Sequence, residues 1–114
     1  MIARVWAARL TKSNLKPYLK HLSTNLLPHL KHNDGFASAL VLTRDLEGDD
    51  TEVLVSTFWK NLAAIKAFAG PDCEVAVVPP EPAALLISYD KRVKHYVVDM
   101  ADSSETISLF AGRD

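Results

Sequence analysis

Cysteine and glycine are scarce in this chain of 114 residues, which has a single cysteine and four glycines. One cysteine cannot build an intrachain disulfide framework, so the disulfide-stapled class of small domains is excluded. Cys73 also lies beside no obvious helix N-terminus or paired base, and we expect an unreactive thiol. The sequence contains no Gly-rich phosphate loop and no Gly-x-Ser-x-Gly nucleophile elbow.

The chain has no excess of either charge and no long apolar run. Its 13 Lys and Arg and 14 Asp and Glu are interspersed and give a net charge of -1, which disfavours nucleic acid as a partner. Lys66, Glu74 and the proline-rich run 79–82 interrupt the apolar stretches, and none approaches the ~20 residues that span a bilayer. The first residues do not resemble a signal peptide. We therefore expect a cytoplasmic protein without a membrane partner.

The length and composition are those of one ordinary domain. Hydrophobic residues make up 48% and charged residues 24% of the chain. We expect one domain over residues 1–100 and a tail, 101–114, that could dock on a neighbouring subunit. A chain of this size builds a single core, so a deep ligand site must share space with it or be completed by a second subunit.

The first third predicts a strand followed by a helix. Residues 2–9 are short and mostly apolar, and alternation places Arg4 and Trp6 on one face. Leucines and Tyr18 then recur every three or four residues up to Leu30, as on one side of a helix. We expect Asn14 to cap this helix, which puts Pro17 in its first turn. Pro28 should kink or end it, and Gly35 should stop the segment with a positive φ.

The remainder predicts two strands, a second helix and a broken last strand. The strands cover 36–44 and 52–59, joined by a polar hairpin loop at 47–50. The helix covers 61–69, with Asn61 as its cap, and Gly70 closes it. Prolines exclude a long element over 72–84, and the last strand falls into 85–89 and 93–98.

The resulting order, βαββαβ, predicts an α+β ferredoxin-like fold with an antiparallel sheet and both helices on one face. Both faces of the strand 52–59 are largely apolar. A monomer would expose the outer face to water over an area larger than soluble monomers usually tolerate. We therefore expect a homodimer in which two sheets pack face to face as a dimeric α+β barrel.

Three segments resemble the antibiotic biosynthesis monooxygenase superfamily: Ile2–Trp6, Val55–Gly70 and Val93–Val98. The likeness covers about residues 1–100 and rests on a Trp at a strand end, an Ala- and Phe-containing helix and a last strand with His-Tyr. It implies a homodimer in which each protomer holds a cavity between sheet and helices. In the oxygenases of this superfamily the cavity binds a polycyclic phenol and needs no metal or flavin. The haem degraders use an Asn on the first strand, a Trp on the second helix and a later His; here the first strand has no Asn, Phe68 takes the Trp position and residues 60–78 contain no His.

His95 is the strongest candidate for chemistry, because a histidine in the sheet could accept a proton from a phenol. Its alternative is a structural hydrogen bond within the sheet or across the dimer. Arg4 could stabilise an enolate or carboxylate, or pair with a carboxylate at the barrel mouth. Tyr18 could donate to a ligand oxygen or simply edge the core. The aromatic residues Trp6, Trp59 and Phe68 could wall a cavity or fill the core.

These residues leave three hypotheses open. The first is a cofactor-independent monooxygenase or related proton-transfer enzyme on a small aromatic or enolisable substrate, with His95 as base. The second is a non-catalytic binding or structural dimer with a filled interior. The third is haem binding through His95. A metal site at His29 and His32 is disfavoured, because their spacing is not that of a zinc helix and imidazolium is favoured near a helix C-terminus in any case.

Overall fold

Five antiparallel strands form the sheet of this computed structural model, which describes residues 1–102. The strand order is β2-β3-β1-β4, and β5 pairs with the same edge of β1 as β4 does. This arrangement confirms the predicted antiparallel, ferredoxin-like sheet and the break in its last strand. The strands are β1 (Ile2–Thr11), β2 (Phe36–Asp45), β3 (Asp50–Trp59), β4 (Ser88–Tyr89) and β5 (Lys94–Val97).

The helices lie in the connections between the strands. After β1 come α1, a π-helical segment and the short α2, and after β3 come α3 and the single turn α4. Their bounds are α1 (Lys12–His21), the π segment (Leu22–Leu26), α2 (Leu27–Leu30), α3 (Leu62–Ala69) and α4 (Pro80–Ala83).

The first helix begins earlier than predicted. Thr11, in extended conformation, precedes Lys12, and β1 therefore runs directly into α1. The predicted cap, Asn14, instead donates its amide to the Leu85 carbonyl at 3.1 Å. Pro17 consequently lies inside the helix and not in its first turn. The predictions for Asn14 and Pro17 were both wrong. The helix begins before Asn14, and the Asn14 amide binds a backbone carbonyl that is distant in the sequence.

Pro28 changes the helix as predicted, and the change takes the form of a π segment. Pro28 has no N–H to give to residue 24, so the α-helical hydrogen-bond ladder cannot continue through it. The preceding five residues, Leu22–Leu26, wind more widely, and the Leu27 N–H bonds to the Leu22 carbonyl. One further short turn, α2, follows. π segments of this kind occur frequently at functional sites.

The predicted ends of two elements are confirmed. Asn61 caps α3, since its side-chain oxygen accepts from the Ala64 N–H at 2.9 Å. Gly35 and Gly70 both have positive φ, at 86° and 95°. At Gly35 the close approach of α3 adds a second requirement, because a Cβ there would lie 2.6 Å from the Ala64 Cβ.

The core lies between the helices and one face of the sheet, in two clusters. The first joins Trp6, Leu10 and Val53 to Tyr18 and Leu22 from the helix layer. The second centres on the fully buried Trp59 and contains Leu30, Ile65 and Cys73. Cys73 is thus a buried thiol.

Within residues 1–102, no helix lies over the other face of the sheet. Paired residues of antiparallel strands share a face, and the register pairs Leu42 with Leu54, Leu54 with Ala7, and Ala3 with both Phe58 and Tyr96. Apolar side chains therefore continue across four strands. Leu42 is 49% exposed and Tyr96 is 52% exposed. This surface, which we call the open face, contains Ala3, Val5, Ala7, Leu40, Leu42, Leu54, Phe58 and Tyr96.

Within residues 1–102, no helix has both the length and the apolar character needed to cross a membrane. The predicted docking of the tail falls mainly on residues 103–114, which lie outside the described residues.

Candidate functional site

A cavity of about 260 Å³ lies between the two core clusters, where the helix layer faces the sheet. Residues of the π segment form one part of its wall, and the chain around the start of α4 forms another. The walls are mostly apolar, with a few polar groups among them. The lining residues are Arg4, Trp6, Tyr18, His21, Leu22, Asn25, Leu26, His29, Leu30, Val55, Thr57, Phe68, Val77, Val78, Pro79 and Pro82.

Arg4 is the most unusual of these residues, because it is a cation on the inward face of a central strand and is only 7% exposed. Its Nη2 donates to the carbonyls of Cys73 and Val75 at 3.2 and 3.1 Å, and its Cζ lies 5.7 Å from the centroid of the Phe68 ring. Its Nε is buried without an acceptor. Burial lowers the pKa of this guanidinium from its usual value.

No carboxylate in residues 1–102 forms an ion pair with Arg4. The predicted alternative, pairing with a carboxylate at the barrel mouth, is therefore not found within the described chain. The acidic residues on either side of Cys73, Asp72 and Glu74, instead pair with the exposed Arg92 at 2.7 and 3.4 Å. The residues that line the cavity include no Asp or Glu within the described chain.

Tyr18 reaches the cavity from α1 and is only 3% exposed. Burial raises the pKa of its phenol to about 12, so the hydroxyl keeps its proton throughout the neutral range. Tyr18 can therefore act as a hydrogen-bond donor and not as a base.

Trp6 and Phe68 form aromatic walls, whereas Trp59 lies behind them. Trp6 lines the cavity and donates its indole N–H to the Asp90 carbonyl at 2.9 Å. Phe68 stacks on Trp59 with a centroid distance of 5.3 Å, and Trp59 is fully buried. Trp59 does not itself reach the cavity but fixes the ring that does.

His95 lies next to Arg4 in the sheet, because β5 pairs with β1 and the register places the two residues opposite each other. Its Nε2 is buried without a hydrogen-bond partner. Burial first, and then the charge of Arg4, lower its pKa, although Glu74 acts in the opposite direction. His95 is therefore neutral near pH 7, but it is not among the residues that line the cavity.

Two cavity histidines were not singled out as site residues from the sequence. His21, Asn25 and His29 follow one another at intervals of four and all line the cavity. The Asn25 amide nitrogen lies 3.1 Å from His21 Nδ1, and the His29 ring lies 6.0 Å from Phe68. The spacing itself was visible in the sequence, but the position of these side chains at the cavity wall was not. Within the described chain, no cluster of three His, Cys, Asp or Glu could hold a metal ion.

The structure thus brings Arg4, Trp6, Tyr18 and Phe68 together around one cavity, with Trp59 and His95 adjacent to it. This cavity contains groups able to donate hydrogen bonds, accept a proton and stack on a planar ring.

Comparison with protein-family models finds no match, and comparison with curated proteins finds none either. Solved structures do match over most of the chain. One is provisionally assigned as an antibiotic biosynthesis monooxygenase from Bacillus cereus, with a TM-score of 0.65 and 16% identity, covering 90% of this chain and 95% of that one.

A second match is the monooxygenase from the gene ActVA-Orf6 of Streptomyces coelicolor in complex with nanaomycin D, with a TM-score of 0.65 and 15% identity, covering 90% and 91%. A third is the heme degrader MhuD from Mycobacterium tuberculosis with two hemes bound in its active site, with a TM-score of 0.59 and 14% identity, covering 90% and 100%. Identities this low establish architecture and leave chemistry open. The chain has the fold seen in antibiotic biosynthesis monooxygenase structures.

Proposed function

We propose that this protein is a cofactor-independent monooxygenase, or a related proton-transfer enzyme, that acts on a small aromatic or enolisable substrate. The observation that carries the proposal is the cavity of about 260 Å³ with aromatic walls and convergent polar groups. A non-catalytic structural dimer would need no such space. The volume is below the ~300–1,000 Å³ of sites for drug-sized ligands, which supports a substrate of one or two rings and not one as large as haem.

The chemistry requires a base, a group that stabilises the resulting anion, and exclusion of water. Removal of a proton from an activated CH₂ group gives an enolate, which can react with O₂ directly. In the complete reaction that CH₂ group becomes C=O, and the second oxygen atom of O₂ leaves as water. Arg4 and the Tyr18 hydroxyl are the cavity groups that would stabilise negative charge on the substrate.

His95 and His21 are the two candidates for the base. His95 is neutral near pH 7 and has a free, buried Nε2, but a substrate proton must reach it past Arg4. His21 lines the cavity directly, and Asn25 holds one of its ring nitrogens. A base must come within hydrogen-bond reach of the proton it removes, so the two histidines need to be tested side by side.

Proton transfer can be measured without oxygen chemistry. We expect the protein to accelerate deuterium exchange at the activated CH₂ of 2-tetralone in D₂O, followed by NMR, and to consume O₂ with the same compound under air. Replacement of the true base, by His95→Gln or His21→Gln, should reduce exchange by about 10²–10⁴-fold. His32→Gln, a change outside the cavity set, is the matched control. Exchange no faster than in buffer would refute the proposed activity.

We further propose that the protein is a homodimer whose interface is the open face. Its cytoplasmic location stays a prediction. The open face exposes leucines on a side of the sheet that no helix of the described chain covers, as expected of a face-to-face barrel. Leu40→Arg should give a monomer in sedimentation velocity, because it places a charge in that interface. Leu62→Arg replaces a leucine on α3 that is 38% exposed, close to the 41% of Leu40, and should remain dimeric. A monomeric parent protein would contradict the dimer.

A further inference from the structure

The cavity contains a cation without a counter-ion, and this determines what kind of molecule fits it. Arg4 is nine-tenths buried and has no carboxylate partner in residues 1–102. Two carbonyls and the face of Phe68 bring partial negative charge only. Burying a charge is costly unless a full opposite charge compensates it.

Packing through the open face does not bring the partner subunit's charges to Arg4. In β1 successive side chains point to opposite sides of the sheet. Arg4 therefore faces the helices, while its neighbours Ala3 and Val5 belong to the open face. A second copy packed on the open face contacts the opposite side of the sheet. Neither residues 1–102 of the same subunit nor the partner's sheet therefore supplies the compensating anion, and a ligand in the cavity can.

The surroundings of Arg4 are built to hold the guanidinium in place. The Cys73 and Val75 carbonyls accept hydrogen bonds from Nη2, and they belong to a segment that is bonded to the chain before β5. The Ala76 N–H bonds to the Lys91 carbonyl at 2.9 Å, and the Val93 N–H bonds to the Glu74 carbonyl at 2.7 Å. Nε meanwhile stays unpaired. A guanidinium fixed on one side with N–H groups unused is typical of a preorganised anion site.

A second donor and two histidines complete the same site. Tyr18 is 3% exposed, lines the cavity with Arg4 and keeps its phenolic proton. His21 and His29 add N–H donors without adding negative charge. Every polar side chain that the described residues place at the wall is thus neutral or cationic.

We propose that the natural ligand of the cavity is an anionic molecule of one or two rings whose carboxylate binds Arg4 and the Tyr18 hydroxyl, with its rings between Trp6 and Phe68. This inference rests on the proposed function for the location of the substrate site, and it adds the charge and the anchoring group of that substrate. The carboxylate fixes the molecule beside the candidate bases, since His95 pairs with Arg4 in the sheet and the His21 ring lies 6.1 Å from that of Tyr18.

The test uses the intact protein with 2-naphthoate and its neutral isostere 2-naphthamide as probes, with binding measured by calorimetry and located by NMR shifts of the Trp6 indole N–H. We expect naphthoate to bind at least about tenfold more tightly than the amide, as charge-assisted hydrogen bonds imply. Arg4→Met should abolish this preference. Arg9→Met is the matched control, since Arg9 lies on the same strand, is exposed and pairs with Asp50, and it should keep the preference.

Each outcome separates the two proposals. If the amide binds as tightly as naphthoate and shifts Trp6, the anion inference is overturned while the cavity remains a ligand site. If neither probe shifts Trp6, the cavity is not a ligand site and the proposed function fails with it. The comparison of probes on the parent protein needs no variant, so it decides the question even if Arg4→Met fails to fold.

Discussion

Gly35 offers a quantitative test of how α3 is held against the start of β2. Its φ is +86°, and a Cβ built there lies 2.6 Å from the Ala64 Cβ. Gly35→Ala should therefore lose about 1–2 kcal/mol of unfolding free energy from the left-handed backbone alone. It should lose a further ~1–3 kcal/mol from overpacking, because Ala64 sits on a helix whose backbone must move to make room. We expect a total loss of about 2–5 kcal/mol in urea denaturation.

Two further variants isolate the clash from the backbone effect. Gly48 has a φ of +70° and nothing within 4 Å of the place that a Cβ would take, so Gly48→Ala should show the backbone cost only. Ala64→Gly removes the opposing Cβ, at its own helix cost of about 1 kcal/mol. In that background Gly35→Ala should become less destabilising by about 1 kcal/mol or more, which is the coupling expected of residues in contact. Equal losses for Gly35→Ala and Gly48→Ala, with no coupling to Ala64, would refute the reasoning.

Two other predictions concern the residues beside the cavity. Trp59→Ala should cost about 3–5 kcal/mol of unfolding free energy, because it leaves a cavity behind Phe68. Phe58 is only half-buried on the open face, so Phe58→Ala should cost less. Both are measured by denaturation of the monomeric protein. His95 has a folded pKa below its ordinary 6.5, so the unfolded chain binds its proton more readily. Stability should therefore fall as the pH drops from about 7 through 6.5 to the folded pKa, and His95→Gln should remove that part of the slope. An unchanged slope in the variant would show that His95 is not responsible.

Periodicity in the sequence was sufficient for the sheet and for most of the helix boundaries. Strand β3 alternates between buried and less buried positions over most of its length, and its register with β1 runs unbroken over ten pairs. Asn61 and Gly35 act locally. The Asn61 side chain accepts from the N–H of Ala64, three residues later, and Gly35 supplies a positive φ, so both roles can be predicted from neighbouring residues. The fold follows from patterns of this short range.

The errors and omissions fall where a residue depends on a distant part of the chain. Asn14 has the right chemistry for a cap, but its acceptor is Leu85, 71 residues away. His21 was not considered as a site residue and His29 was weighed only as a metal ligand, because the sequence does not show that both reach the wall of one cavity. His95 was placed in the correct strand, but the sequence could not show that Arg4 would lie between it and the cavity region.

The local rules of folding are broken at several points in this chain, and the breaks lie around one cavity. Arg4 puts a charge at an inward position of a central strand, where binary patterning requires an apolar residue. The π segment interrupts an otherwise regular helix opposite it, and Tyr18 places a phenol at the buried wall between them. Each of these departures costs stability, and a protein that only had to pack its core would gain by replacing them with leucine and a straight helix. Their concentration at one site is the pattern expected where stability has been lost in favour of function. The Arg4→Met variant tests this directly: it should be more stable than the parent protein and should lose the preference for anions.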